Sequence, residues 1–352
     1  MYKSIVFILT VFASGLGLTK AQPGGNYTYN FLNLTNSARA ASLGGDVIAI
    51  QDDDFNLTAQ NPSLLNSNMS NSLVMNYVNY FTDINYGYFS YAHSFANAGN
   101  FAAAVNYINY GEFTAADYTG VITGHFRAAE YSFNLMWSMP LDSSFTVGAA
   151  LKTIHSVLEQ YTSTGLATDV GITYHNPDKL FTAAFVIRNL GTQVKAYNSG
   201  NMEPLPLNIE LGISQRLKYA PFRFSLTAHH LQQWDMLYTT EADKKNSIDP
   251  LTGEKVSKSK AENFAENFMR HMIVGVEFLP MKNFYFRVGY NYQRRKEMQL
   301  ASKVGGVGFS WGFGLKISKF NISYGRATYH LSGASNLFSL TTNISDFYQK
   351  GK

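Results

Sequence analysis

Tyr131-Ser-Phe-Asn-Leu-Met-Trp-Ser-Met139 is the stretch that decides the fold. Tyr131, Phe133, Leu135, Trp137 and Met139 alternate with Ser132, Asn134, Met136 and Ser138. A helix would scatter these large apolar side chains around its surface, whereas a strand gathers them on one face. The same two-residue period returns along the chain. Leu207, Ile209, Leu211 and Ile213 alternate with Asn208, Glu210, Gly212 and Ser214. Phe284, Phe286, Val288, Tyr290 and Tyr292 alternate with Tyr285, Arg287, Gly289, Asn291 and Gln293. Val307, Phe309, Trp311, Phe313 and Leu315 alternate with Gly and Ser.

Weaker segments bring the count to fourteen strands, beginning near residues 72, 84, 99, 127, 144, 165, 179, 206, 222, 268, 283, 305, 319 and 334. Transmembrane strands need about 9–11 residues with apolar and polar faces alternating. An even number places both barrel termini on one side. The connections alternate too. Phe95 to Gly99, Pro140 to Ser143, Asn176 to Lys179, Tyr219 to Pro221, Pro280 to Asn283 and Ser318-Lys319 are tight. Gly111 to Phe126, Ser156 to Gly165, Leu190 to Leu205 and Asp235 to Asn267 are longer. A soluble sandwich has water at both ends and no reason for this asymmetry. The expectation is all-β: a 14-stranded antiparallel transmembrane β-barrel with an N-terminal plug segment.

Composition agrees. The 352 residues are 15% charged and 15% aromatic, with 23 Tyr and 26 Phe. No apolar run after the start approaches the roughly 20 residues of a membrane helix. Met1 to Ala21 reads as a secretory signal, with Lys3 before an apolar core and Thr19-Lys20-Ala21 as cleavage site. This divides the chain into a signal peptide (1–21), a plug (22–70) and a barrel (71–352). Cysteine is absent, which excludes an N-terminal lipid-anchored cysteine, disulfides, thiol catalysis and cysteine-ligated metals. The net charge of +4 is too small on this length to argue for nucleic acid.

Ahead of the strands, Ser37 to Leu65 is built differently. Small residues (Ser37-Ala-Arg39-Ala) lead to Gly44-Gly45, then Val47-Ile48-Ala49-Ile50, an acidic run Asp52-Asp53-Asp54, and Asn61-Pro62. Paired glycines allow positive φ and close backbone approach, and Asn-Pro is a turn signal. Such a segment suits a lumen. The order of these parts resembles the N-terminal region of the PorV/PorQ proteins of the type IX secretion system, within the wider FadL-like group of outer-membrane barrels. The lead-in Tyr29-Asn30-Phe31-Leu32 is similar to the PorQ side of that family. The resemblance implies fourteen strands and a non-enzymatic place in the outer membrane of a Gram-negative bacterium. It implies membership of a cell-surface attachment complex in which the barrel anchors a PorZ-like surface protein beside PorV- and PorU-like components. The wider group implies an alternative, transport of hydrophobic small molecules as in FadL. An open porin fits a plugged barrel poorly.

Chemistry-bearing motifs are few. Inward positions carry Glu130, Lys152, Asp169, Glu210, Arg216, Arg223, Glu277 and Arg287, which read as structural pairs more readily than as catalytic groups. Gly306, Gly308, Gly312 and Gly314 share one face and offer either room for twist or a groove for the plug. The Asp52 run and Asp243, Asn246 and Asp249 lack the calcium-loop spacing. His229-His230, adjacent on a strand, should face opposite sides; His125, His155, His175 and His271 lie far apart, so no metal site is expected. Ser257 and Lys260 have Ser-x-x-Lys spacing but no companion motif for acyl-enzyme chemistry. No cofactor is expected. In the longest loop Phe264 and Phe268 stand one helical turn apart, as a lid over the mouth or a docking surface for a partner; outer-membrane lipids would surround the wall.

Overall fold

The computed structural model describes residues 27–80, 84–198, 200–237, 259–298, 305–330 and 333–348. The proposed signal peptide, Asp243, Asn246, Asp249 and Ser257 fall outside them. The first seven strands are β1 (Ser72–Asn79), β2 (Asn85–Phe95), β3 (Gly99–Ala116), β4 (Ile122–Pro140), β5 (Phe145–Leu158), β6 (Tyr161–Asn176) and β7 (Phe181–Lys195). The rest are β8 (Asn208–Arg216), β9 (Phe222–Ala228), β10 (Met272–Met281), β11 (Phe284–Asn291), β12 (Phe309–Ile317), β13 (Phe320–His330) and β14 (Gly333–Asn343). Each pairs antiparallel with its sequence neighbours, and β1 pairs β14 to close a fourteen-strand barrel. Closure leaves no long unpaired edge.

The alternation along residues 131–139 is the pleat itself. On β4, Ser132, Asn134, Met136 and Ser138 are buried while Phe133, Leu135 and Met139 are exposed. On β8, Asn208, Glu210 and Ser214 face in while Leu211 and Ile213 face out. The outward belt continues through Phe224, Val274, Val288, Trp311 and Phe338. An apolar surface of this extent matches lipid rather than water.

Six connections at one end of the barrel are short, as read. At the other end two differ from expectation. Strands β3 and β4 continue upward through Glu112↔Arg127 and Thr114↔His125, and β5 turns into β6 across Glu159 and Gln160, with Glu159 at φ 57°. Residues 111–126 and 156–165 are therefore extensions of hairpins rather than long loops. The β11 pattern also ends early: Asn291 Oδ1 accepts from Arg294 N at 2.9 Å, and the chain coils into a helix over Tyr292–Met298. Val307 lies before β12 and is fully buried, not on its outward face. Arg216, at the rim, is exposed instead of inward.

Residues 27–70 pack inside the barrel as short helical turns, each capped by a residue of the type that prefers that position. Ser37 accepts from Arg39 N (3.2 Å) and Ala40 N (3.4 Å) to start α1 (Ala38–Ser42). Asp54 accepts from Asn56 N at 3.1 Å ahead of the 3-10 turn Phe55–Ala59. Asn61 accepts from Ser63 N at 3.0 Å ahead of Pro62–Leu64. The segment is drier than the strands around it: Ala38, Ala41, Leu43, Ile48 and Phe55 are fully buried.

Glycines in the wall receive it. A Cβ at Gly289 would strike the Leu43 carbonyl carbon, and one at Gly312 would strike the Tyr324 carbonyl oxygen of β13 and stand 2.7 Å from Ser42 Cβ. Gly312 pairs with Gly325 in the β12–β13 ladder, whose own Cβ would strike the Ala38 carbonyl oxygen. Of the stripe read as either room for twist or a groove, only Gly312 meets the inner segment; the receiving glycines lie across β11, β12 and β13, and Gly314 faces Ser323, Tyr285 and Arg287 instead. Gly306 contributes nothing to this reception, and Gly308, at φ 85°, turns under Arg295 before β12.

Candidate functional site: the lumen and its outer mouth

Arg39, on α1, uses all five N–H donors. Nε and Nη2 grip the two oxygens of Glu277 at 2.9 Å each, Nη1 reaches Asp52 (3.0 Å) and Asp54 (3.1 Å), and Nη2 also reaches Asp52 at 2.7 Å. Arg223 joins Asp52 and Glu277 at 2.9 Å each, and Arg287 joins Glu277 at 2.9 Å. Burial alone would raise the Asp52 carboxyl, but Arg39 and then Arg223 outweigh it and hold the group well below the usual carboxylate range. Three cations and three carboxylates thus tie the inner segment to β9, β10 and β11.

Two further clusters stand along the wall from β5 to β8. Arg188 Nη1 meets Asp46 of the inner segment (3.1 Å) and Glu210 (3.0 Å). Lys152 meets Asp169 at 2.6 Å and Asn189 Oδ1 at 2.9 Å. Asn61 donates to Thr173 Oγ1 at 3.0 Å and to the Ile48 carbonyl at 2.7 Å, so Asn61-Pro62 is bound to β6. Gly44 and Gly45 have φ of 108° and 119°; Gly44 sits against Ile273, and Gly45 against the Arg294 guanidinium. Asp53 alone of the acidic run is exposed, accepting from Asn68 at 2.9 Å.

At the mouth a helix, α2 (Lys260–Arg270), lies beside α3 (Tyr292–Met298). Ser259 and Glu262 close a reciprocal capping box at 3.2 and 2.9 Å. Lys260, the second member of the Ser-x-x-Lys spacing, is simply the first residue of this helix. Asn267 and Arg270 bind the Met236 backbone at 3.0 Å each, while Glu266 accepts from the Tyr292 hydroxyl at 3.0 Å and faces Lys296 at 3.4 Å. The outer face shows Phe264 (60% exposed), Phe268 and Met269. The ring beside Phe264 is Trp234, with centroids 5.2 Å apart, rather than Phe268.

Two small cavities lie between this helical layer and the inner segment. One of about 120 Å³ is lined by Tyr27, Asn30, Gln232 and Gln233 among others, and one of about 230 Å³ by Asp46, Arg188, His229, His230 and Arg294 among others. His229 and His230 do not face opposite sides. Strand β9 stops at Ala228, His230 has φ 55°, and the two rings are 4.7 Å apart. His271 joins them, its Nδ1 at 2.7 Å from the His229 carbonyl. Among the described residues no group of three or more His, Cys, Asp or Glu side chains is placed to hold a metal.

Arg188 is the central residue that sequence reading passed over. Phe185 points outward, so the two-residue period already placed Val186 and Arg188 inside.

No family profile and no curated protein matches the chain. Solved structures do. The Ralstonia pickettii toluene transporter TbuX superposes with a TM-score of 0.51 at 12% identity, over 89% of this chain and 99% of that one. The TodX monoaromatic hydrocarbon channel deltaS2 mutant gives 0.52 at 12% identity, over 89% and 100%. A Pseudomonas aeruginosa FadL homologue gives 0.46 at 10% identity, over 89% and 98%. The likeness is one of fold: the chain is a closed fourteen-strand antiparallel β-barrel that superposes on TbuX over most of its length.

Proposed function

We propose that this chain is a non-enzymatic outer-membrane anchor of the PorV/PorQ kind, nearer PorQ, serving type IX secretion by holding a PorZ-like surface protein in an attachment complex with PorV- and PorU-like components. One observation carries the reading: the inner segment fills the lumen and is locked to the wall by the Arg39 cluster, while the exposed apolar surface of α2 stands at the mouth. A lumen closed by buried ion pairs leaves the mouth as the working surface, because the wall faces lipid and the turns at the other end are too short for a standard interface of about 800 Å² per partner. Phe264 and Phe268 supply apolar anchors, and Lys260 and Glu262 stand in the polar rim.

The test is recovery of tagged full-length chain from outer membranes in mild detergent. Secretion components should co-purify, and Phe264→Ser with Phe268→Ser should lose them while the barrel keeps its heat-modifiable migration. The fold favours a second reading, transport of hydrophobic small molecules, since TbuX is a toluene transporter. Co-purified hydrophobic compounds without any secretion component would establish that reading and remove the first.

A further inference from the structure

The cavity of about 230 Å³ at the mouth carries unmet hydrogen-bonding capacity. Arg294, on α3, stacks its guanidinium 4.1 Å from the Tyr329 ring centroid. It forms no ion pair among the described residues, and its Nη1 is buried without a hydrogen-bond partner. His229, in the same lining, is 2% exposed, and neither ring nitrogen closes a hydrogen bond. The Arg270 backbone lies close to that ring. Arg188 adds a third orphan, its Nε. The carboxylates that also line the space already have partners within it: Asp46 pairs with Arg188, and Glu297 accepts from Gln293 at 2.9 Å.

A buried guanidinium donor without an acceptor is costly, and the natural complement of its planar fork is an oxyanion. His229, neutral in this setting, offers one donor and one acceptor to a neighbouring polar group. Asn208, Asn291 and Gln293 complete a polar lining. The cavity has room for several waters or one small polar molecule. We propose that it binds a small oxyanion, a phosphate or carboxylate group, with Arg294 as charge partner and His229 as hydrogen-bonding partner. A ligand of this chemistry is unlike a hydrocarbon, and the site stands whichever reading of the barrel's function holds.

Calorimetric titration of the detergent-solubilised full chain with inorganic phosphate, and separately with acetate, tests it. Saturable binding of at least one anion is expected, weakened roughly tenfold (about 1.4 kcal/mol) in Arg294→Gln and unchanged in Arg127→Gln, whose side chain is exposed at the rim. Displacement of a bound phosphatidic acid by inorganic phosphate would assign the group to a lipid headgroup, and binding of inorganic phosphate without lipid binding would assign it to a free solute; both support the site. Should Arg294→Gln fail to fold, the wild-type unfolding temperature decides: it should rise with phosphate and not with chloride at equal ionic strength. Absence of binding by both anions, or equal affinity in the folded Arg294→Gln variant, overturns the proposal.

Discussion

Arg39 shows what a single side chain does here. Its five donors meet three carboxylates, two from its own segment and one 238 residues away. Removing it leaves Glu277 and Asp52 with less than the charge that made their burial tolerable. Breaking such a pair costs about 3–5 kcal/mol. Arg39→Ala should therefore lower the urea midpoint sharply, and Arg39→Lys should recover only part of the loss, because an ammonium cannot form the two parallel bonds to Glu277. The same cluster sets a pH response. The folded Asp52 carboxyl is depressed, so its contribution is complete above the unfolded carboxylate value near ~3.9 and is lost as pH falls further. Urea midpoints should be level from neutral to about pH 4 on this account and decline below it; a fall beginning near pH 6 would point to another group. Composition announced Arg39 and the acidic run, and alternation placed Glu277 and Arg287 inward. What no local pattern carries is which inward charges meet, since that depends on how the inner segment threads a closed sheet.

Strands were legible because each is a local pattern repeated against a two-phase environment. The departures occur where that environment ends. Tyr292 continues the aromatic alternation of β11, yet Asn291 caps a helix there and Gln293 to Met298 has helix-forming composition. The two-residue period alone does not mark that cap. The β3–β4 hairpin escapes in the opposite sense, staying paired beyond the apolar belt where alternation no longer marks it. The glycines required the packing partner to be known. Gly289→Val, whose Cβ would strike the Leu43–Gly44 backbone, should force the inner segment away from β11 and cost about 1–3 kcal/mol, whereas Gly306→Val, with only Thr328 Oγ1 at 4.0 Å, should be close to neutral. Limited proteolysis and urea midpoints of the two variants check this. Equal effects would mean that glycine serves strand geometry rather than reception of the inner segment.

At the scale of the whole molecule, the inner segment is bonded to parts of the wall far apart in sequence: Ser339 through Ala38 N, Glu277 through Arg39, Ser214 through the Ala49 carbonyl, Thr173 through Asn61 and Ser138 through the Leu65 carbonyl. Those bonds circle the barrel from β4 to β14. A closed sheet pairs its own backbone, but its inward charges need partners, and Arg39 and Asp46 are among them. Deleting Ser37–Leu65 should accordingly act in two ways. The heat-modifiable, folded fraction should fall, because wall charges such as Arg188, paired with Asp46, and Glu277, paired with Arg39, each lose a partner to water that now enters the lumen. The fraction that still inserts should conduct ions across planar bilayers, whereas the full chain should remain closed. Normal folded levels together with a closed lumen in the deletion would show that the wall alone seals the barrel, and the inner segment would then be passive filling rather than the element that fixes its shape.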